Sequence, residues 1–275
     1  ELLNFADTAC YAAKNAGRNN VYVFNENDKY LKSHQGEVQW VPKIEKALVE
    51  NVFCLYAQSI TALNDDKKGK KYEILLRLID GETIIVPDAF LPSAERFNLA
   101  IKIDRWVIEA SLRWFIERPK ILADIDCFSV NLSGQSLADK SLYAFIVNLL
   151  KELEFPVSKL IFEITETAAI NNLVDAKLFI KQLRVMGVRF SLDDFGSGLS
   201  SFAYLKNLEV DFLKIDGIFV KGIGADKIDR AMVKSIHDIG KIMGKETIAE
   251  FVEDELIVAE LEKIGVDYAQ GYFYS

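Results

Sequence analysis

The sequence has little of what most metal and redox centres are built from. Of its 275 residues, two are histidine and three are cysteine. His34 and His237 lie in a polar stretch and a helical one, and both read as surface residues. Cys10, Cys54 and Cys127 show no CxxC spacing and are odd in number. That pattern points to reduced, partly buried thiols of a cytoplasmic domain and away from a disulfide framework or a zinc site. Long apolar runs are also missing. The longest, VFCLYAQSITAL, is too short to span a bilayer, and no signal peptide is visible. Basic charge is in deficit, with 33 Lys and Arg against 41 Asp and Glu. A net charge of −8 argues against DNA or RNA as partner. A small anionic ligand stays open, provided that metal ions or a few placed Lys and Arg residues supply local positive charge.

What is present is apolar and alternating. Half of the residues are hydrophobic, enough for a large core. Residues 1–24 read as a helix ended by Gly17 and a strand (NVYVF), too little to bury a core alone. Residues 25–38 read as a polar linker, and Pro42 as the opening residue of a helix in VPKIEKALVEN. Beyond this, strand-like runs fall at 52–60, 71–79, 127–133, 160–165, 188–194, 211–216, 246–252 and 266–272. Helical runs separate most of them, including AERFNLAIKIDRWVIEASLRWFIE as one long segment. The alternation predicts an α/β protein of the (β/α)8 barrel class, with an open doubly wound sheet as the competing architecture.

Polar residues interrupt these runs in one place. Glu73, Asn131, Glu163, the Asp193/Asp194 pair, Lys214, Glu250 and Gln270 stand at or near the C-terminal ends of successive strands. In a barrel those ends converge on the active site. Taken singly each has a plainer explanation: Glu73 or Asn131 as a strand end facing solvent, Glu163 and Glu166 in a helix first turn, Lys214 as a surface lysine. Repetition from strand to strand weakens those explanations. The set is carboxylate and amide with neither histidine nor cysteine, which suits Mg²⁺ or Mn²⁺ over zinc. Clustered carboxylates repel unless a cation neutralises them. Asp193 and Asp194 pose a separate difficulty, because successive side chains on a regular strand point to opposite faces.

In order along the chain, YEILLR, VNLS, FEITET, LDDFGSGLSS, LKID, AEFVE and QGY resemble the signature stretches of EAL-domain phosphodiesterases, which hydrolyse the bacterial second messenger cyclic di-GMP. The resemblance covers about residues 39–275. It implies a TIM-like barrel with an antiparallel first strand as one form. It also implies two divalent ions, one held by Glu73, Asn131, Glu163 and Asp193, the other by Asp193, Asp194 and Glu250. Lys214 would orient the attacking water or the phosphate, and Glu250 is a candidate general base. Gln58, Arg77, Glu253 and Gln270 would serve substrate binding or hydrogen-bond the waters. Glu166 would anchor the loop carrying Gly196, Ser197 and Gly198, a segment that contributes to a homodimer contact in such proteins. The expected product is linear pGpG. A receptor that binds cyclic di-GMP without cleaving it is the alternative, although such receptors usually lack a ligand or the lysine.

Residues 1–24 resemble the last helix and strand of a GGDEF diguanylate cyclase domain whose signature loop is absent from this chain. Lys14 and Arg18 match phosphate-binding positions there, but no cyclase activity is expected. Upstream sensor or membrane domains of a parent protein are compatible with this. Three departures from the EAL pattern stand out: Ile74 where alanine is usual, Ser59 where proline is usual, and Phe251 where glycine is common.

Overall fold

The computed structural model describes residues 29–50, 52–64, 69–197 and 204–274. The GGDEF-like segment, Lys14, Arg18 and Gly198 lie outside them. The strands are β1 (Phe53–Ala62), β2 (Lys70–Asp80), β3 (Thr83–Ile85), β4 (Ile125–Leu132), β5 (Leu160–Thr165), β6 (Arg189–Phe195), β7 (Phe212–Ile215), β8 (Glu246–Ala249) and β9 (Tyr268–Gln270). They pair in the order β1-β9-β8-β7-β6-β5-β4-β2, and a β1–β2 pairing closes the ring, with β3 added along β2. From β2 through β9 the ring pairings are parallel, whereas β1 runs antiparallel to β9, with Ile60 opposite Gln270. The fold is thus the (β/α)8-type barrel with a reversed first strand.

The described residues gather in two compact units, one ending at Phe53 and including Leu78–Ala100, the other Cys54–Arg77 with Ile101 onward. In the first, Trp40 and Phe53 pack against Phe90 with ring centroids 6.1 and 5.9 Å apart. Its helix α1 (Lys29–Glu50) starts far earlier than the sequence suggests: Pro42 lies inside it, and the helix takes in most of the stretch read as a linker. The long helical segment after β3 is also broken. Asn98 adopts φ 56, and this left-handed turn separates α2 (Leu91–Arg96) from α3 (Ala100–Ile116).

Every candidate site residue that the structure describes belongs to the second unit. There, β5 (LIFEIT) is buried at all but its last position, as expected for a parallel strand covered on both faces. Helices follow the strands: α4 (Lys140–Glu152), α5 (Leu173–Arg184), α6 (Lys227–Ile242) and α7 (Glu255–Ile264). Asp139, Asp226 and Asp254 cap three of these by accepting backbone N–H bonds of the first turn. No described helix is long and apolar enough to cross a membrane.

His237 is not a surface residue. It is 3% exposed, on the face of α6 that also buries Val233, Ile236 and Gly240, and its Nδ1 lies 2.8 Å from Thr247 Oγ1.

Candidate active site

The site stands on an apolar floor. Ile60, Cys127, Ile161, Phe212, Ile248 and Tyr268 form one buried cluster, each from a different strand. Two residues along five of those strands, on the same face, come Gln58, Ser129, Glu163, Lys214 and Gln270, with Glu250 two residues beyond Ile248. The pleat therefore converts an apolar layer into a polar layer directly above it. Below, the buried Lys71 pairs with Asp126, and its ammonium lies 5.5 and 5.1 Å from the ring centroids of Phe212 and Tyr268. The sequence reading passed over this buried pair.

Lys214 is the centre of the polar layer. It is 1% exposed, and its ammonium lies 3.1 Å from Glu73, 2.9 Å from Glu163, 3.1 Å from Asp193 and 2.9 Å from Glu250. Amides complete the ring. Asn131 Nδ2 donates to Glu73 Oε1 at 2.6 Å, and Gln270 Nε2 donates to Glu73 Oε2 at 2.5 Å and to Gln58 Oε1 at 2.9 Å. Strand register brings them together, since Asn131 sits opposite Glu163 and Thr165 opposite Asp193. These residues form a single cluster, as their positions at strand ends suggest.

The adjacent aspartates resolve through the backbone. Asp194 adopts φ 55 inside β6, where the register with β7 shifts between Leu192 and Phe195, so the pleat is interrupted at the pair, and the Asp194 N–H donates to Asp193 Oδ1 at 3.1 Å. Both carboxylates then turn to the rim. Oxygens of Asp193, Asp194 and Glu250 lie within 4.8 Å of one another. Such an all-oxygen group fits one hard divalent cation. Of the other set, Glu73, Glu163 and Asp193 converge on the Lys214 ammonium, and Asn131 donates to Glu73, so its carboxylates are arranged around positive charge.

Electrostatics follow from burying so many acids together. Burial pushes Glu163 up to about 8, against the Lys214 charge, with repulsion from Glu73 and Asp193 adding to the rise. Burial and then Asp193 raise Asp194 to about 6. Burial likewise raises Asp193 and, strongly, Glu250. For Glu73 burial acts upward, but Lys214 and the Gln270 and Asn131 hydrogen bonds outweigh it and hold the carboxyl below its ordinary value. Burial would lower Lys214, yet Asp193, Glu163, Glu250 and Glu73 drive it well above the usual lysine range.

The remaining candidates are placed variously. Arg77 donates to its neighbour's carbonyl at Leu76, 2.7 Å away, with its guanidinium 5.6 Å from the Tyr56 ring. Glu253 stands apart from the carboxylate cluster, 3.8 Å from Lys221. Glu166 is buried and accepts from Gly196 N at 3.0 Å and from the Tyr204 hydroxyl. Gly196 takes φ 99, and Ser197 Oγ donates to the Asp194 carbonyl at 2.9 Å. Ser59, in the usual proline position, donates to the Tyr274 carbonyl at 3.3 Å. Tyr56, Tyr204 and Asp216 also border the site; Asp216 closes the LKID stretch and Tyr204 lies just past DDFGSGLSS, so both had a motif to flag them.

The EAL domain model matches residues 42–275. The chain belongs to the EAL domain family. The EAL chain is 41% identical over 273 residues to the cyclic di-GMP phosphodiesterase PdeB of Shewanella oneidensis, covering 99% of this chain and 32% of that protein. The chain thus spans about a third of the length of that relative. Among solved structures, the FimX EAL domain from Pseudomonas aeruginosa bound to c-di-GMP superposes with TM-score 0.79 at 32% identity, covering 85% of this chain and 94% of that one. The PaMucR phosphodiesterase in its c-di-GMP complex gives 0.79 and 32%, covering 86% and 96%.

Proposed function

We propose that this EAL domain hydrolyses cyclic di-GMP to linear pGpG, using divalent cations. The observation that carries the reading is the fully buried Lys214 ammonium within 3.1 Å of four carboxylates, beside the Asp193–Asp194–Glu250 oxygens. A structural lysine needs one partner. Four acids gathered at the mouth of a barrel suit a site that handles cations and phosphate.

Asp193, Asp194 and Glu250 would hold one Mg²⁺ or Mn²⁺, and Glu73, Asn131, Glu163 and Asp193 another. Bound there, divalent cations polarise a phosphate and lower the pKa of a water. The protein's own part is positioning. Lys214, kept charged by its neighbours, points donors at the anionic centre. Glu250 can accept the proton of the attacking water. Arg77 offers a guanidinium suited to two phosphate oxygens. In the reaction a water oxygen bonds to phosphorus and the bond to one ribose oxygen breaks. That ribose oxygen then takes up a proton.

The same reading includes a second copy of the chain as partner, near the Glu166-anchored loop, and a GGDEF remnant ahead of the domain. Incubating the protein with cyclic di-GMP, with Mg²⁺, with Mn²⁺ and with chelator, and following pGpG by chromatography tests the activity. Product with metal and none with chelator is expected. Tight binding without product under both metals would replace the enzyme with a receptor.

A further inference from the structure

Phe251 directly follows Glu250 and adopts φ 54, a left-handed backbone that costs an ordinary aromatic residue free energy. Its neighbours are shaped around it. A Cβ on Gly217 would meet Phe251 Cδ2 at 2.3 Å, so the ring fills the room a side chain would need there. The Lys221 ammonium stands 4.3 Å from the ring centroid and 3.8 Å from Glu253 Oε1. Yet Phe251 is 47% exposed. Packing does not explain a large apolar side chain that is strained, fitted against a glycine, braced by a cation and then left open to solvent. Its place supplies the reason. Glu250 is its chain neighbour, and Gly217 follows Asp216, whose charge bears on Asp194.

We propose that Phe251 is a base-stacking residue of the substrate site, with Lys221 bracing its ring. The inference rests on the proposed function and names a specificity element of that same site. Cyclic di-GMP has two guanines, and an exposed aromatic ring at the mouth stacks a base face regardless of how the phosphate is held. Lys221 and Glu253 then act on the ring and not on the phosphate. This gives Glu253 a place in substrate binding although it lies away from the carboxylate cluster.

The test compares wild type with Phe251→Leu, which keeps bulk and backbone strain but loses the π face, and Phe251→Tyr, which keeps it. Cyclic di-GMP binding to metal-free protein is measured by calorimetry, and KM and kcat are measured with Mn²⁺. Leucine is expected to weaken binding and raise KM about tenfold, with kcat within about twofold, while tyrosine stays near wild type. Melting curves establish that each variant is folded. Should leucine misfold, Lys221→Met, which removes the brace, is expected to weaken binding in the same direction. Equal binding by wild type and folded Phe251→Leu overturns the stacking role alone. A wild type that neither binds nor cleaves cyclic di-GMP overturns the functional reading, and the stacking role with it.

Discussion

Glu166 Oε2 accepts a hydrogen bond from the backbone N–H of Gly196 at 3.0 Å. The other carboxylate oxygen accepts from the Tyr204 hydroxyl, and Glu166 is only 1% exposed. One buried acid thus ties together the residues on either side of segment 198–203. Glu166→Ala removes the acceptor of a half-buried N–H and of the Tyr204 hydroxyl, and is expected to cost about 1.5–3 kcal/mol by chemical denaturation. Amide exchange at Gly196 should accelerate. Because Asp194 lies two residues before Gly196, Mn²⁺ binding should weaken as well. An unchanged denaturation midpoint with Gly196 still protected would show that the carboxylate is not the tether.

Removing Lys214 tests the cluster from the opposite side. Lys214→Met leaves Glu73, Glu163, Asp193 and Glu250 without the ammonium they share. Breaking a buried pair by deleting one partner costs about 3–5 kcal/mol, because the remaining charge has no compensation. Thermal unfolding at pH 7 in chelator should fall accordingly, and added Mn²⁺ should return part of the loss. Wild-type stability in chelator would mean that the acids need no central cation.

Much of this centre was legible because of the pleat. Glu163 is two residues past Ile161, Lys214 two past Phe212, and Gln270 two past Tyr268, so a polar residue replaces an apolar one on the inner face of a strand. What stayed hidden were backbone conformations and pairings across the barrel. Nothing in DDF announces φ 55 at Asp194, nor does AEFVE announce φ 54 at Phe251. Pro42 looked like a helix start because proline favours the first turn, yet α1 carries it internally. For His237 the signal existed: Val233, Ile236, His237 and Gly240 have the i, i+3, i+4, i+7 spacing of one buried face.

The Asp193–Asp194–Glu250 group makes a claim about metal affinity that needs no substrate. With Mn²⁺ alone as the titrant, Asp194→Asn and Glu250→Gln should each weaken binding at least tenfold, since even partners of metal ligands cost about 10–100-fold. Asp139→Asn is the matched control. It removes an acid that caps α4 by accepting from Ser141 N and Leu142 N and has no part in this group. If the capping variant weakened Mn²⁺ as much as the others, the effect would reflect overall charge and not coordination.

A final prediction concerns acid stability. Thr247 Oγ1 donates to Asp267 Oδ2 at 3.2 Å, which leaves it to accept from His237 Nδ1–H at 2.8 Å. Burial holds the His237 pKa below the ordinary histidine value; Asp267 and Asp238 oppose this, while Lys241 and Lys234 add to it. A histidine depressed in the folded state takes up its proton more readily when unfolded. Its contribution is therefore complete above the unfolded pKa of about 6.5 and is lost as pH falls below it. Between pH 8 and 5, acidification should cost wild type more stability, read from denaturation midpoints, than it costs His237→Gln. Parallel curves for the two proteins would place the acid sensitivity outside His237.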